Sequence, residues 1–403
     1  MSSFVSASLD RLVSDLESAG VLQSEAVRRA FRRVERHRFV THWYCLMADS
    51  RRVVWSPETL DRDAPDAESL RRIYSDRPLV TRLDGSSPIS SSTSPRLMAS
   101  MLEALDLRPG MRVLEIGTGT GYNAALLAEI LQDAGSVYTV DLREDVVEEA
   151  RASLREEGYE EVHVACRDGY WGYVEGAPFD RIIVTVGCSD TSPHWLEQMA
   201  AGGSLLVPLL HGILHPLVRI VREHESTAGR VIGSSSFIPS SGALRWVNPW
   251  QSYCVVGLPP QPCWTRPALA GLPHEGLSGN ALEDPDHRSF HFFLSLCSRE
   301  LWYSVYGYGL ADPGAGAAVV VSAHGVHGFA RPESGAALER LYERLVGLAS
   351  AWCNLGRPSA GDYELSFIPR RDEPNLGADS RGEWVIERIT SWEVVRLPHA
   401  RTA

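Results

Sequence analysis

Three glycines at alternate positions mark the segment of this chain best suited to chemistry. Gly117, Gly119 and Gly121 follow the apolar run 112–116 and precede a stretch of helical periodicity. Glycines in this arrangement let the backbone turn sharply after a strand and approach a ligand, while the free N–H groups of the following helix attract an anion. We therefore expect this segment to bind a nucleotide-like cofactor.

The spacing of the glycines distinguishes between the possible cofactors. A dinucleotide fold would have a small residue where Tyr122 stands, and no Gly-Lys-Ser/Thr of a Walker loop follows. The pattern Glu-x-Gly-x-Gly-x-Gly, which begins at Glu115, favours S-adenosylmethionine, because this ligand presents only a small carboxylate to a tight loop. Asp141, at the end of the next predicted strand, is expected to bind the ribose hydroxyls, and Asp168 the adenine amino group. The alternative is a tight turn with two solvated carboxylates. The predicted cofactor-binding residues are Glu115, Gly117, Thr118, Gly119, Gly121, Tyr122, Asp141, Leu142, Asp168 and Gly169.

The elements around this segment alternate between helical and strand periodicity, which is typical of βαβ units. Helices are predicted over 97–107, 123–131, 144–157 and 195–200, and strands over 112–116, 137–140, 162–165, 181–186 and 204–208. Two amphipathic helices are predicted within residues 1–40, a polar loop or insertion over 49–69, and a serine-rich irregular segment over 86–95. The sequence therefore predicts an α/β, Rossmann-like class I methyltransferase fold preceded by helices.

The composition changes after about residue 225, where Gly, Pro, Ser and Trp replace the βαβ rhythm. One amphipathic helix, 333–354, is predicted there, with strand-like runs at 317–322, 363–367 and 383–396. We expect an N-terminal helical cap (1–80), a methyltransferase domain (81–228) and an appended, smaller α+β C-terminal domain (229–403).

Composition and charge argue against several classes of protein. Of the 403 residues, 51 are acidic and 39 basic, and the net charge of −12 disfavours a nucleic-acid partner. No apolar run approaches the ~18 residues of a membrane span, and the beginning of the chain is not that of a secretory signal. Seven cysteines without a CxxC pair fit reduced thiols and a cytoplasmic location. No metal site is expected, since His287 and His291 lack an intervening Glu, and His324 and His327 lack thiolate partners.

Several motifs resemble the protein-L-isoaspartate O-methyltransferase family. In chain order they are VRRAFRRVERHRFV, IYSDRPL, LRPGMRVLEIGTGTGYNAALLAEI, VYTVDL, RDGYWG, PFDRIIVTVG and LEQMAAGGSLLVPL, and the similarity spans about residues 9–225. The substrate loop of that family carries an Ile-Ser-Gln-Pro-like motif, and ISSSTSPRLMASML occupies the corresponding place here. Thr93-Ser94-Pro95 thus replaces Ser-Gln-Pro, so a threonine hydroxyl replaces the serine hydroxyl and a second hydroxyl replaces the amide.

The resemblance implies a carboxyl O-methyltransferase that esterifies an aspartate or isoaspartate in a peptide or protein. A carboxylate is already ionised at pH 7, so the reaction needs no strong base and depends on holding the oxygen in line with the methyl group. Thr93 is predicted to orient this carboxylate, with Ser92 and Ser94 as neighbouring catalytic candidates. The alternative is that the segment is only a flexible polar loop.

The C-terminal extension is absent from the housekeeping repair enzyme of this family. Longer relatives resemble methyltransferases of ribosomal-peptide gene clusters, lanthipeptides and graspetides among them, whose aspartyl ester is implied to collapse to aspartimide and then hydrolyse to isoaspartate. A ribosomally made precursor peptide is therefore the expected partner. Two alternatives are kept open: a general isoaspartyl repair methyltransferase, and a non-catalytic scaffold that binds a peptide. A small-molecule methyltransferase is disfavoured, because an open serine-lined loop would be an unusual pocket for one.

Overall fold

The chain forms two compact units in a computed structural model, which describes residues 3–49, 52–223, 226–245, 258, 261–273, 281–304, 307–372, 374 and 382–398. The first unit comprises Met1–Pro208, Arg219–Thr227 and Ser235–Trp246, and the second comprises Leu209–Val218, Ala228–Ser234 and Val247–Ala403. The three domains drawn from the sequence, with boundaries at residues 80 and 228, stay a prediction.

Helices begin the first unit, as predicted. They are α1 (Ser3–Ser18), α2 (Glu25–Arg33), α3 (Arg36–Phe39) and, further along, α4 (Ala67–Ile73). Helix α1 buries its apolar side, including Leu9, Leu12 and Leu16. The Ser24 hydroxyl caps α2 by accepting the Val27 N–H bond at 3.2 Å. The break between the two predicted amphipathic helices is thus confirmed.

A four-stranded antiparallel sheet follows, and the sequence analysis predicted none of its strands. The strands are β1 (His42–Asp49), β2 (Arg52–Thr59), β3 (Leu79–Asp84) and β4 (Ser87–Ser92), in the order β2-β1-β3-β4. The expected loop over 49–69 therefore contains β2 and α4, and the expected irregular segment over 86–95 is mostly β4. Pairing explains both corrections: β2 pairs with β1, and β4 with β3, where the Thr81 hydroxyl hydrogen-bonds that of Ser90 at 3.2 Å. Such cross-strand pairing outweighs the weak preference of serine for loops.

A parallel sheet forms the core of the first unit. Its strands are β5 (Arg112–Ile116), β6 (Ser136–Asp141), β7 (His163–Cys166), β8 (Phe179–Val184) and β9 (Met199–Pro208), with helices α5 (Pro95–Ala104), α6 (Tyr122–Leu131), α7 (Glu144–Glu156) and α8 (Pro193–Gln198). The strand order β9-β8-β5-β6-β7 reverses at β5. In such sheets a ligand binds beyond the carboxyl ends of the strands at this reversal. The Rossmann-like α/β fold is confirmed.

Where the structure describes it, the second unit consists of antiparallel strands and two long helices. Strands β12 (Trp264–Arg266), β13 (Leu301–Ser304), β14 (Gly307–Asp312), β15 (Ala317–Ser322) and β16 (Gly325–Ala330) form one sheet, in the order β12-β16-β15-β14-β13. Strands β17 (Glu364–Pro369), β18 (Glu383–Glu387) and β19 (Ser391–Arg396) pair in the order β18-β19-β17, followed by β11 (Ser226–Ser235). Strand β10 (His215–Glu223), like β11, contributes residues to both units.

The helices of this unit are α9 (Pro285–Cys297) and α10 (Gly335–Asn354). The sequence predicted α10 but not α9. Helix α9 buries every residue from Phe290 to Leu296, so this part of its sequence has no polar side to produce an amphipathic period. The predicted strand over 383–396 is in fact two strands, β18 and β19, which pair as a hairpin.

Candidate active site

The glycine loop after β5 is closed by backbone bonds to the neighbouring strand. The N–H groups of Gly117 and Thr118 donate to the Val140 carbonyl at 2.9 and 3.1 Å. Gly117 has φ +102°, and a Cβ there would lie 2.6 Å from Oγ1 of Thr185. Only glycine fits this position, since a side chain would be both strained and obstructed.

Glu115 lies under the loop and is completely buried. Its Oε1 accepts a hydrogen bond from Nδ2 of Asn123 at 2.7 Å, and its Oε2 accepts one from Oγ1 of Thr139 at 2.7 Å. Burial raises the pKa of Glu115 to about 7, against the opposing effect of these two bonds, and the charge of Asp141 raises it further. Glu115 is therefore a buried carboxyl whose charge changes near neutral pH.

Asp141 ends β6 and faces the glycine loop. Its Oδ2 accepts the Gly119 N–H bond at 3.1 Å, and its Oδ1 accepts that of Arg143 at 3.3 Å. Burial raises the pKa of this carboxyl, although the backbone bonds oppose the rise. Leu142, the next residue, exposes 43% of its surface.

Asp168 follows β7 and holds two backbone segments. Its Oδ1 accepts the Tyr170 N–H bond at 3.0 Å, and its Oδ2 accepts that of Ala243 at 2.8 Å. Gly242 has φ +74°, and a Cβ there would collide with the Asp168 carboxylate. Gly169 is equally confined, since its Cβ would lie 2.6 Å from Cγ2 of Ile116.

The segment 237–244 is part of this site, and the sequence did not reveal it. The Gly187 N–H donates to the Ile238 carbonyl at 2.8 Å, and the Ser240 N–H returns a bond of 2.8 Å to the Gly187 carbonyl. In the sequence, the abundance of Gly, Pro and Ser in this segment indicated only a domain boundary. Gly242, whose φ is positive, is the one residue of this segment whose type could have indicated a left-handed backbone conformation.

The three predicted catalytic residues differ in their surroundings. The Ser92 hydroxyl is buried and accepts bonds from Nε and Nη2 of Arg36 at 3.3 and 3.2 Å. Thr93 follows β4, and its carbonyl accepts a bond of 3.0 Å from Nη2 of Arg36. Ser94 is the N-cap residue of α5, and its side chain makes no capping hydrogen bond.

One cavity brings most of the predicted residues together. The predicted residues that line it are Ser92, Thr93, Glu115, Gly117, Thr118, Gly119, Tyr122, Asp141, Leu142, Asp168 and Gly169, whereas Ser94 and Gly121 are not among the lining residues. Lining residues that the sequence did not single out include Ser90, Ser91, Asn123, Arg143, Tyr170, Thr185 and 237–241. The Tyr122 hydroxyl and Oδ1 of Asn123 are buried in this wall, and neither has a hydrogen-bond partner among the described residues. A ligand with polar groups would satisfy them.

The histidines considered as metal ligands lie in the second unit, where His287 and His291 are buried and His324 is exposed. Nδ1 of His287 lies 2.9 Å from the Tyr308 hydroxyl and its Nε2 lies 3.0 Å from the Pro273 carbonyl, while burial lowers the pKa of His291 to about 3. Within the described ranges, no three His, Cys, Asp or Glu side chains are grouped as metal ligands would be. In the same part of the chain, no helix is both long and apolar enough to cross a membrane.

Known proteins resemble this chain over the same region. The family model for protein-L-isoaspartate(D-aspartate) O-methyltransferase (PCMT) matches residues 46–244, which include every predicted site residue. The protein-L-isoaspartate O-methyltransferase of Methanothermobacter thermautotrophicus is 36% identical over 241 residues, which are 59% of this chain and 96% of the relative. The enzyme of the same name from Thermococcus sibiricus is 35% identical over 243 residues, covering 59% of this chain and 94% of the relative.

A solved structure extends the likeness further along the chain. This structure, of a protein-L-isoaspartate O-methyltransferase, superposes with a TM-score of 0.52 at 24% identity, and the match covers 89% of this chain and 96% of the other. The fold of most of the C-terminal part therefore occurs in that structure as well.

Sequence, fold and site agree on the class of enzyme. The protein is a carboxyl methyltransferase with S-adenosyl-L-methionine as its cofactor and a peptide or protein as its substrate. The chain belongs to the protein-L-isoaspartate O-methyltransferase family.

Proposed function

We propose that this enzyme esterifies the free carboxyl group of isoaspartyl residues in peptides and proteins, at the cavity between the glycine loop and the end of β4. One observation carries the proposal: the hydroxyl-bearing residues 90–93 and the glycine loop line the same cavity. A Cβ on Gly119 would lie 3.5 Å from the Ser91 carbonyl, so the two segments are neighbours. A carboxylate held by the first segment would face a cofactor held by the second.

The residues of the cavity fit the cofactor. S-adenosyl-L-methionine supplies a methyl group that its sulfonium makes electrophilic. We assign the amino-acid part of the cofactor to the glycine loop from Gly117 to Gly121, with Glu115 beneath it. The unpartnered Oδ1 of Asn123 supports this assignment, because it offers an acceptor to an ammonium group.

The two aspartates suit the nucleoside. Asp141, with Leu142 beside it, is assigned to the ribose hydroxyls, and Asp168, with Gly169, to the adenine amino group. Each Asp168 oxygen already accepts one N–H bond. A carboxylate has about four acceptor positions, so Asp168 retains the capacity for a further donor.

Thr93 is the proposed residue for orienting the substrate carboxylate. The Ser92 hydroxyl accepts two bonds from Arg36 and so is better suited to holding the strand end, and Ser94 lies outside the cavity lining. A hydroxyl at Thr93 would donate to one carboxylate oxygen and leave the other free to attack. Because the carboxylate is ionised, correct placement supplies most of the rate acceleration.

The ester has a defined chemical outcome. The backbone nitrogen of the following residue attacks the ester carbonyl, methanol leaves, and an aspartimide forms, which water then opens to aspartate or isoaspartate. General repair of isoaspartate is the better supported role, because the named relatives are protein-L-isoaspartate O-methyltransferases. A dedicated precursor peptide has less support, since most of the C-terminal part has its counterpart in a solved structure of that same name.

Substitution of Thr93 tests the catalytic assignment. We expect Thr93→Val to lower the single-turnover methylation rate by about tenfold, which corresponds to ~1.4 kcal/mol, because it removes one hydrogen bond to the carboxylate. Thr93→Ser keeps the hydroxyl and should retain most of the rate. Both variants should bind S-adenosylhomocysteine as the wild type does. A wild-type rate in Thr93→Val would remove Thr93 from the mechanism.

A panel of peptides tests the breadth of the substrate. Isoaspartyl peptides of unrelated sequence, each paired with its aspartyl twin, are incubated with the enzyme and the ester is measured by mass spectrometry. Methylation of most isoaspartyl members, and none of their twins, is expected for a repair enzyme. Inactivity on the whole panel would contradict general repair and favour a dedicated peptide.

A further inference from the structure

Arg36, the first residue of α3, is a completely buried cation outside the residues assigned to the reaction. Among the described residues, no carboxylate lies within 4.0 Å of its guanidinium. Asp76, whose charge does act on Arg36, is bound by Arg96 instead, at 2.7 Å from the Arg96 Nε. Burial lowers the pKa of Arg36 to about 10, so the group remains charged at neutral pH.

The guanidinium of Arg36 donates to two sets of backbone carbonyls in place of a carboxylate. The first set lies at the end of α4 and just after it. Nη1 of Arg36 donates to the carbonyls of Ile73 and Ser75 at 2.7 and 3.3 Å, and Nη2 donates to that of Arg77 at 3.3 Å. The Ile73 carbonyl ends α4, and those of Ser75 and Arg77 belong to the short connection between α4 and β3. The guanidinium thus fixes a loop that has no regular structure of its own.

The second set belongs to the cavity. Nη2 of Arg36 donates to the carbonyls of Ser92 and Thr93 at 3.3 and 3.0 Å, and the Ser92 hydroxyl accepts bonds of 3.3 and 3.2 Å from Nε and Nη2. Both residues line the cavity. One side chain therefore connects the α4–β3 loop to the strand end that carries Thr93.

We propose that Arg36 is a positioning residue for methyl transfer: its buried guanidinium fixes the backbone of Ser92 and Thr93, and thereby the place at which Thr93 meets the substrate carboxyl. This inference rests on the function proposed above. A planar group with five donors in a rigid fork can reach carbonyls of two segments together, whereas the ammonium of a lysine is a single point with three donors. Since no carboxylate of the described residues lies within 4.0 Å of it, the guanidinium also brings a positive charge close to a site that receives an anion.

Arg36→Lys is the first test, with Arg38→Lys as its matched control. Arg38 lies two residues away in the same helix and pairs with Asp63 and Glu157. We expect Arg36→Lys to lower the single-turnover rate on an isoaspartyl peptide by up to about tenfold, as Thr93→Val does, because a displaced Thr93 hydroxyl no longer meets the substrate carboxylate. The dissociation constant of S-adenosylhomocysteine should change by less than about twofold, because Arg36 makes no bond to the glycine loop. Arg38→Lys should leave both quantities unchanged.

A double-mutant cycle with Thr93 separates positioning from general stability. If Arg36 acts through Thr93, Arg36→Lys costs much less rate in a Thr93→Val background than in the wild type. Equal losses in the two backgrounds would overturn the inference, as would a wild-type rate in Arg36→Lys. Should Arg36→Lys not fold, Ser92→Ala removes only the hydroxyl acceptor, and a smaller loss of rate with the same coupling to Thr93 is expected.

Hydrogen exchange distinguishes failure of this inference from failure of the proposed function. Amides of residues 74–79 and 87–95 should exchange faster in Arg36→Lys than in the wild type and in Arg38→Lys. If the wild type methylates no isoaspartyl peptide, the proposed function fails. The exchange measurement would still test whether Arg36 holds the α4–β3 loop and the end of β4 in place. Unchanged exchange in both segments would overturn the inference whatever the activity.

Discussion

Glu115 is the residue of the site whose charge depends most on conditions near neutrality. It is completely buried, yet it is held by donors from Asn123 and Thr139 and not by a cation. Because burial brings its pKa to about 7, a fall from pH 8 to pH 6 converts it from mainly ionised to mainly protonated. The cofactor carries an ammonium group and a sulfonium, so the charge of Glu115 should matter for binding.

We therefore expect the affinity for S-adenosylhomocysteine, which retains the ammonium group, to fall by up to about tenfold between pH 8 and pH 6. Glu115→Gln should bind more weakly at pH 8 and show a nearly flat profile, because the amide does not titrate. Glu129→Gln, on the same helix as Asn123 but paired with Arg33, is the control. Calorimetry at several pH values measures all three. An affinity of the wild type that is constant from pH 6 to pH 8 would contradict a role for this charge.

At the scale of elements, local periodicity sufficed for the parallel sheet and its helices. Strand β5 coincides with its predicted range, α6 and α7 differ from theirs by one residue at one end, and β6 by one residue at each end, whereas β9 begins five residues before its predicted start. Each of these elements carries its own pattern of buried residues, so the sequence predicts it without knowledge of partners.

The elements that the sequence did not predict depend on partners that their own local periodicity does not reveal. Strand β4 reads as a serine-rich loop until β3 pairs with it, and the segment 237–244 acquires its role from Gly187 and Asp168. The predicted site shows the same division. The glycines and Asp141 belong to a local motif, whereas Arg36 reaches Ser92 across 56 positions of the chain and carries no signal in the sequence.

Substitution of Gly242 tests whether the segment 237–244 contributes to cofactor binding. Gly242→Ala should displace the Asp168 carboxylate, because its Cβ would collide with that group at a positive φ. We expect a loss of roughly 1–3 kcal/mol in the free energy of unfolding and weaker binding of S-adenosylhomocysteine, from backbone strain and a lost hydrogen bond. Gly233→Ala is the control, since a Cβ there meets no atom within 4 Å. If Gly242→Ala binds S-adenosylhomocysteine as tightly as the wild type, the assignment of Asp168 to cofactor binding would be wrong.

At the scale of the whole molecule, buried histidines set the response to acid. Burial lowers the pKa of His37 and His215 to about 4 and that of His291 to about 3, and it also lowers the pKa values of His211 and His287. In the unfolded chain these groups titrate near 6.5. Below that pH the unfolded state therefore binds protons that the folded state does not, and the free energy of unfolding falls until about pH 4.

Buried carboxyl groups modify this response in both directions. Glu115 acts in the opposite direction, because its folded pKa of about 7 lies above its unfolded value near 4.5, so its contribution is present below pH 4.5 and lost as the pH rises through 7. Buried Glu393 is different: Arg388, with His211, outweighs its desolvation and lowers its pKa to about 2, so its contribution is lost only as the pH falls below about 4.5. Asp141 and Glu35, whose pKa values burial also raises, act in the same direction as Glu115. The five histidines outnumber these three carboxyl groups, so a net loss of stability is expected between pH 6.5 and 5.

His291→Phe tests this account within the second unit. His291 lies 5.3 Å from the ring of Tyr308, so a phenyl ring suits the position, and it removes a group that would have to be protonated on unfolding. Each such histidine changes the free energy of unfolding by up to ~1.4 kcal/mol per pH unit. From pH 6.5 to 5, the free energy of unfolding should therefore fall less steeply in the variant than in the wild type, by up to this amount per pH unit. Because the chain has two units, hydrogen exchange of amides in α9 is the appropriate measure of local stability. Exposed His163, changed to Gln, should leave the slope as in the wild type. Parallel slopes for His291→Phe and the wild type would mean that His291 does not carry the acid sensitivity of this unit.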